Sequence, residues 1–345
     1  MERLKGLDGL RGFLAISVAL THAYSHFTGW GNGFNIFRYS TFAVDVFFIL
    51  SGIVLYYNYR DKLALSFNSI FNFLKHRIFR LYPLYVLSLI FVPISLYISN
   101  GTFFPDWIGE YRIRSFAGDL TLLNNLGGFK PYLNQPTWSI SSELYIASLV
   151  VLLSCLNISF ALFFAVLSVV GFYYTGLKTS DVTQSYHLIS GGMLRCMFGV
   201  SLGILSFRAV ELLSLKGLLN DKILNFISFI SVSAIFLIMI GVKIFSFEYF
   251  IACAIVSVGV CSLSRTNGEL MAFFESDWVK TAGERSYSIY IIHTPLIYFM
   301  LTFKSSNQNL NIAIATISVA MVYWISKYTY KFIEKPFIRF SKKSL

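Results

Sequence analysis

Arg11 and His22 lie eleven positions apart inside one apolar stretch near the start of the chain. At 100° per residue they return to within about 20° of the same helix face, about 16 Å apart along the axis. Ionisable groups are costly among lipids and usually line a cavity or functional path there, so a cation and an imidazole on one stripe point to such a path. The alternatives are an arginine that snorkels from a helix end and a histidine bonded to a neighbouring carbonyl. An imidazole takes a proton from a hydroxyl near neutral pH when a carboxylate orients its tautomer and raises its basicity. It also serves as a covalent carrier, and both roles are open. Asp45, in AVDVFFILSG, and Glu143, in WSISSE, fall near the outer ends of later apolar segments, at the expected depth of His22. Either acid can orient the ring, and either can instead cap a helix start, where the dipole favours negative charge.

A second group lies toward the opposite ends of the apolar segments. Arg77 and Arg80, in RIFRLYP, are spaced i to i+3 and project from one side of a short helix ahead of Pro83. They suit a phosphate-bearing ligand or anionic lipid headgroups equally. GERSYSIYIIHTP places Arg285 at a helix edge and His293 about two turns in, with Tyr287 and Tyr290 beside it. His293 either lines the ligand path or is a packed residue hydrogen-bonded across helices. Cys155, Cys196, Cys253 and Cys261 show no CxxC spacing and read as small core residues, implying neither a disulfide nor a metal site.

The elements that hold these residues are set by composition. With 56% apolar residues, 13% charged residues and a mean hydropathy of +0.64, the chain is not a soluble one. The net charge of +11 comes from Lys and Arg set singly or in small groups between apolar runs rather than along one polar face, which argues against nucleic acid. Periodicity and length predict helices over 7–27, 41–59, 82–99, 138–155, 158–176, 188–207, 223–242, 246–264, 287–303 and 311–333. The expectation is an all-α, polytopic integral membrane bundle of about ten transmembrane helices, one domain over 1–345 with no fused soluble domain. The first segment reads as a retained helix, since Arg11 interrupts it and no small-x-small cleavage site follows. Loops on one side hold eighteen Lys and Arg, from Arg3 and Lys5 to Lys342 and Lys343, against seven on the other, among them Lys243. That bias predicts cytoplasmic termini and an external loop over 100–137. Residues 66–80 read as an amphipathic segment on the cytoplasmic face, phenylalanines toward lipid.

Six segments, in order, resemble one family: LDGLRG with Arg11 and His22, VDVFFILSG, RIFRLYP, WSISSE, SYSIYIIHTP and FIEKPF with Glu334 and Pro336. Together they resemble the acyltransferase family 3 membrane proteins, which O-acetylate bacterial surface polysaccharides such as O-antigen, capsule and exopolysaccharide, and rhizobial Nod factors. The resemblance covers Leu7 to Phe337 and implies an acetyl-CoA donor bound from the cytoplasm, with no metal. It implies a critical role for Arg11 and His22, a place near the CoA phosphates for Arg77 and Arg80, and a role for Glu143. The expected catalytic set is then His22, Glu143 and Asp45, with Arg11, Arg77, Arg80, Arg285, Tyr287 and His293 on the donor side. The acceptor would be a surface glycan or lipid-linked oligosaccharide at the bacterial cytoplasmic membrane, with membrane lipids as the surroundings. Ala43, where glycine is frequent, and Ser142, where an apolar residue is frequent, depart from the pattern without touching a candidate reacting group. A secondary transporter or flippase also buries charge, but neither related halves nor broken helices show here. A non-catalytic scaffold would leave the Arg11 and His22 stripe without a use.

Overall fold

The computed structural model describes residue 4 and residues 6–64, 66–242, 244 and 246–343; Arg3, Lys5 and Lys243 lie outside the described residues. In chain order the helices are α1 (Leu7–Thr28), α2 (Thr41–Tyr59), α3 (Phe67–Asn100), α4 (Ile113–Leu120), α5 (Trp138–Ser142), α6 (Ser148–Leu156), α7 (Ser159–Thr175) and α8 (Gly191–Leu215). They continue as α9 (Asp221–Ile240), α10 (Ser246–Leu263), α11 (Glu269–Phe274), α12 (Asp277–Glu284), α13 (Ser286–Met300), α14 (Gln308–Thr329) and α15 (Lys335–Lys343). Wider π turns, Glu143–Ala147 and Tyr330–Glu334, join α5 to α6 and α14 to α15. The chain is 76% helical, so the all-α expectation holds. Among the described residues six helical stretches are long and apolar enough to cross a membrane, fewer than the ten expected. Two shorter apolar helices, Ser159–Thr175 and Phe247–Leu263, accompany them.

Local sequence fixes the helix starts. Ser66, Ser190 and Asn220 each accept from the backbone N–H three residues on, which satisfies one of the donors that a helix start leaves free. Among lipids the drive for packing comes from close backbone approach rather than from water exclusion. A Cβ on Gly12 would lie 2.4 Å from the backbone nitrogen of Gly283, and one on Gly283 would lie 1.9 Å from the carbonyl oxygen of Asp8. The glycines of LDGLRG therefore seat α1 against α12. Gly52 and Gly203 do the same for α2 and α8, meeting the carbonyls of Val200 and Ile49.

Two expectations change. Residues 66–80 are not a separate surface helix but the first half of α3, which runs through Pro83 and Pro93 without a break. Phe67 and Phe71 are exposed as expected, whereas Phe73 is buried edge-on against Tyr59 at 4.9 Å between rings. The segment 100–137, expected as a loop, is not open beyond Asn100 but folds back along α3. The Tyr85 hydroxyl donates to the Asp119 carbonyl, and the Asn124 amide lies 3.0 Å from the hydroxyls of Tyr85 and Thr137. Tyr85 is about 22 Å from the Asn100 end of α3 at 1.5 Å per residue, so the segment dips that far into the bundle. Irregular backbone survives at such depth only where protein or a cavity satisfies it. Asn134 does this by donating to the carbonyl of Ile291 at 3.1 Å and to Ser88 at 3.0 Å.

Polar contacts gather the loops into two ends. At one, Glu211 accepts from Arg60 and Arg208, each at 2.6 Å, with Arg265 at 3.6 Å. At the other, Tyr39 donates its N–H to Met239 and Lys304 reaches the carbonyl of His26 at 2.8 Å. These are the two groups of loops that the charge count separated.

Candidate functional site

Two chambers lie one above the other, meeting at Val44 and Tyr290, which line both. The inner one is narrow, about 50 Å³, and carries Arg11, Arg80, Glu143, Ser51, Ser139, Tyr287 and the rings of Phe47 and Phe48. The outer one is about 680 Å³ and holds His22, His26, His293, Trp30, Trp138, Tyr298 and wall residues from two loops, 130–136 and 182–185. The α1 stripe thus joins them, with Arg11 in the inner chamber and His22 in the outer, as their spacing predicted.

His22 meets no carboxylate in a hydrogen bond among the described residues. Its Nδ1 lies 2.8 Å from His293 Nε2, with the two rings stacked at 5.0 Å between centroids. His293 Nδ1 in turn faces the backbone carbonyl of Tyr290. A carbonyl oxygen can only accept, so His293 carries its proton on Nδ1. Neutral His293 then offers Nε2 as an acceptor, His22 donates from Nδ1, and the lone pair of His22 is left on Nε2. A base or nucleophile is set up by a second histidine where sequence reasoning placed an acid. His293 makes the cross-helix hydrogen bond and also lines the outer chamber.

Asp45 is occupied elsewhere. Its carboxylate forms a buried ion pair with Arg195, whose Nε donates to Oδ1 at 2.8 Å, and it accepts from the Tyr249 hydroxyl at 2.8 Å. Arg195 also donates to the carbonyls of Thr41 and Thr179 and sits over the rings of Trp138 and Tyr249. The pair ties α2, α8 and α10 together. Glu143 is displaced in depth: because 101–137 dips inward, α5 starts inside the bundle, and Glu143 lines the inner chamber rather than the layer of His22. There it accepts from Ser51 at 2.9 Å and lies 3.6 Å from Arg77. Its own turn is a π turn, a distortion frequent at functional sites.

The arginine pair separates. Arg80 lines the inner chamber, but Arg77 is only 6% exposed and donates to the backbone carbonyl of Glu143, so it braces that residue and does not face a ligand. Tyr287 lines the inner chamber with its hydroxyl on the carbonyl of Leu81. Arg285 precedes α13 and lines neither chamber. Four residues went unnoticed in the sequence: Arg195, His26, Trp30 and Ser51. Arg195 carried a usable signal, the one Lys or Arg in the apolar stretch 188–207, and His26 stands one turn from His22.

The acyltransferase domain model of acyltransferase family 3 matches residues 4–331. The chain belongs to that family. Similar proteins include Protein 2 in the picA locus of Rhizobium radiobacter, 42% identical over 160 residues, or 42% of this chain and 79% of that protein. Acyltransferase MdmB of Streptomyces mycarofaciens is 28% identical over 41% of this chain and 36% of its own length. O-acetyltransferase OatA of Staphylococcus aureus is 24% identical over 96% of this chain. The acyltransferase spans 57% of OatA and little more than a third of MdmB. No solved structure matches it.

Proposed function

We propose that this acyltransferase moves an acetyl group from acetyl-CoA, offered on the cytoplasmic side, to a sugar hydroxyl of a surface polysaccharide or its lipid-linked precursor on the far side of the bacterial cytoplasmic membrane. The observation that carries the reading is the pair of chambers joined at Tyr290, cationic and narrow within, aromatic and wide without. CoA is too large and charged to cross lipid, but its thioester arm is long and thin. Arg11 and Arg80 attract the anionic donor while the arm passes Tyr290. In the direct route His22 Nε2 takes the acceptor proton as the hydroxyl oxygen attacks the thioester carbon. The C–O bond forms, the C–S bond breaks, and the proton leaves with the thiolate as free CoA thiol. In the two-step route Nε2 attacks the thioester carbon, the C–S bond breaks and CoA leaves as thiolate; the acceptor hydroxyl oxygen then attacks the acetyl carbon, the N–C bond breaks to restore the imidazole, and the hydroxyl proton balances the thiolate as free CoA thiol. The staphylococcal relative's name, O-acetyltransferase, supports the group transferred.

Mass and NMR analysis of surface glycan from cells with and without the gene tests the reading, the expected result being O-acetyl present only with it. An acetyl content independent of the gene rejects it. Sidedness is tested separately with impermeant thiol reagents: a cysteine at the exposed Ser180 should react in intact cells, and one at Lys216 only after permeabilisation. Asn125, in the 100–137 segment expected outside, is buried and unsuited to such labelling.

A further inference from the structure

The outer chamber contains a residue whose placement goes beyond the transfer chemistry. Trp30 is 63% exposed yet lines the chamber, with its ring 6.1 Å from that of His22. It stands between Gly29 and Gly31, both at left-handed φ angles (109° and 88°) that favour glycine, and a Cβ added at either would point into open space. The loop therefore presents the indole without burying it. His26 holds it edge-on at 5.3 Å and is itself backed by Tyr298 at 5.2 Å. Beyond these two ring contacts the indole is open to the chamber beside His22. The rest of the chamber is suited to a hydroxylated ring: Gln135, Gln184, Thr183 and Ser185 supply donors and acceptors, and no carboxylate lines it among the described residues.

We propose that Trp30 is the acceptor platform: a pyranose ring of the glycan stacks its C–H face on the indole, and one ring hydroxyl then faces His22 Nε2. This rests on the glycan-acetylating reading above and names the residue that selects the hydroxyl. The supporting Tyr298, His26 and Trp30 series makes the platform rigid, so the carbon position acetylated follows from the register of the sugar on the ring. A lipid tail on the same face is the competing occupant.

The test compares Trp30→Ala, Trp30→Phe and wild type in membranes, with acetyl-CoA and purified surface glycan, measuring the KM of each substrate and the position acetylated. Trp30→Ala is expected to raise the acceptor KM tenfold or more and to scatter the acetylated position, with the donor KM changed less than twofold. Trp30→Phe should recover most of the affinity. An unchanged acceptor KM in Trp30→Ala overturns the platform alone, and so does an equal rise in the donor KM. An effect seen with lipid-linked acceptor but absent with the free glycan assigns the face to lipid and overturns it as well. A wild-type protein that modifies no glycan overturns platform and proposed function together.

Discussion

The inner chamber is narrow and carries three charged groups, Arg11, Arg80 and Glu143, whereas the outer chamber is wide and lined by rings, amides and hydroxyls with Lys130 at its wall. In the inner chamber Glu143 is tied to Ser51 and braced by Arg77, leaving Arg11 and Arg80 as its lining cations. In the outer one a single hydrogen-bond chain, Tyr290 carbonyl to His293 to His22, fixes a reactive nitrogen while Trp30 stays open. The contrast teaches that position, not residue type, decides which ionisable groups are free for chemistry. Asp45 and His22 both lie near the outer ends of their helices, yet Asp45 is consumed by a structural ion pair.

The sharpest way to break this comparison is at the histidines. His22→Ala should lower transfer by about 100-fold or more with normal membrane insertion, the size expected for loss of a general base or nucleophile. His293→Phe removes the acceptor that sets the His22 tautomer and should cost nearly as much, whereas His293→Gln, which can still accept, should retain more activity. Equal activities for Phe and Gln variants would dismiss the tautomer argument.

Asp45→Ala tests the opposite kind of residue. Leaving Arg195 buried and unpaired should cost about 3–5 kcal/mol of stability, visible as lost yield and a lower Tm in detergent. Were Asp45 instead catalytic, a well-folded and inactive variant would result.

Next in size, Arg80→Ala should raise the donor KM about tenfold and leave the acceptor KM unchanged, with Lys restoring part of the affinity. Arg77→Ala should act through Glu143, lowering stability and kcat rather than donor affinity. A selective rise in donor KM for Arg77→Ala would return it to the ligand side.

The smallest effect concerns the segment that dips into the bundle. Asp119 is fully buried, accepts from the Tyr111 hydroxyl and from the backbone N–H groups of Tyr132 and Leu133, and so holds the wall of the outer chamber. Burial lifts its carboxyl from the ordinary range to about 6. A raised folded-state value means that its contribution is fully present below the unfolded value and fades as pH rises through about 6. Wild type should therefore lose more Tm between pH 5 and pH 7.5 than Asp119→Asn does, by a few degrees. Identical shifts would place the titration elsewhere.

Much of this was legible in the sequence. The helices were, because long apolar runs and capping residues are local properties, and so was the Arg11 and His22 stripe, because helical phase is fixed by spacing alone. The partners were not. Asp45 and Arg195 lie 150 residues apart, and His22 and His293 271 apart, so nothing local reports that they meet. The depth of Glu143 was misjudged for a related reason: the polar composition of 101–137 suggests an open loop, and only its bonds to Tyr85, Ser88 and Ile291 draw it inward.

The close seat of α1 on α12 has a mechanical consequence. Gly12 and Gly283 bring two backbones together at the foot of α1, and α13 with His293 follows directly from α12. The seat is a fulcrum and α1 a lever arm about 15 Å long up to His22, so a swing of about 10° at the foot would carry the imidazole about 3 Å. That exceeds the tolerance of a hydrogen bond. A methyl group added at Gly283, about 15 Å along the helix from the imidazole, would thus be amplified into a parted histidine pair.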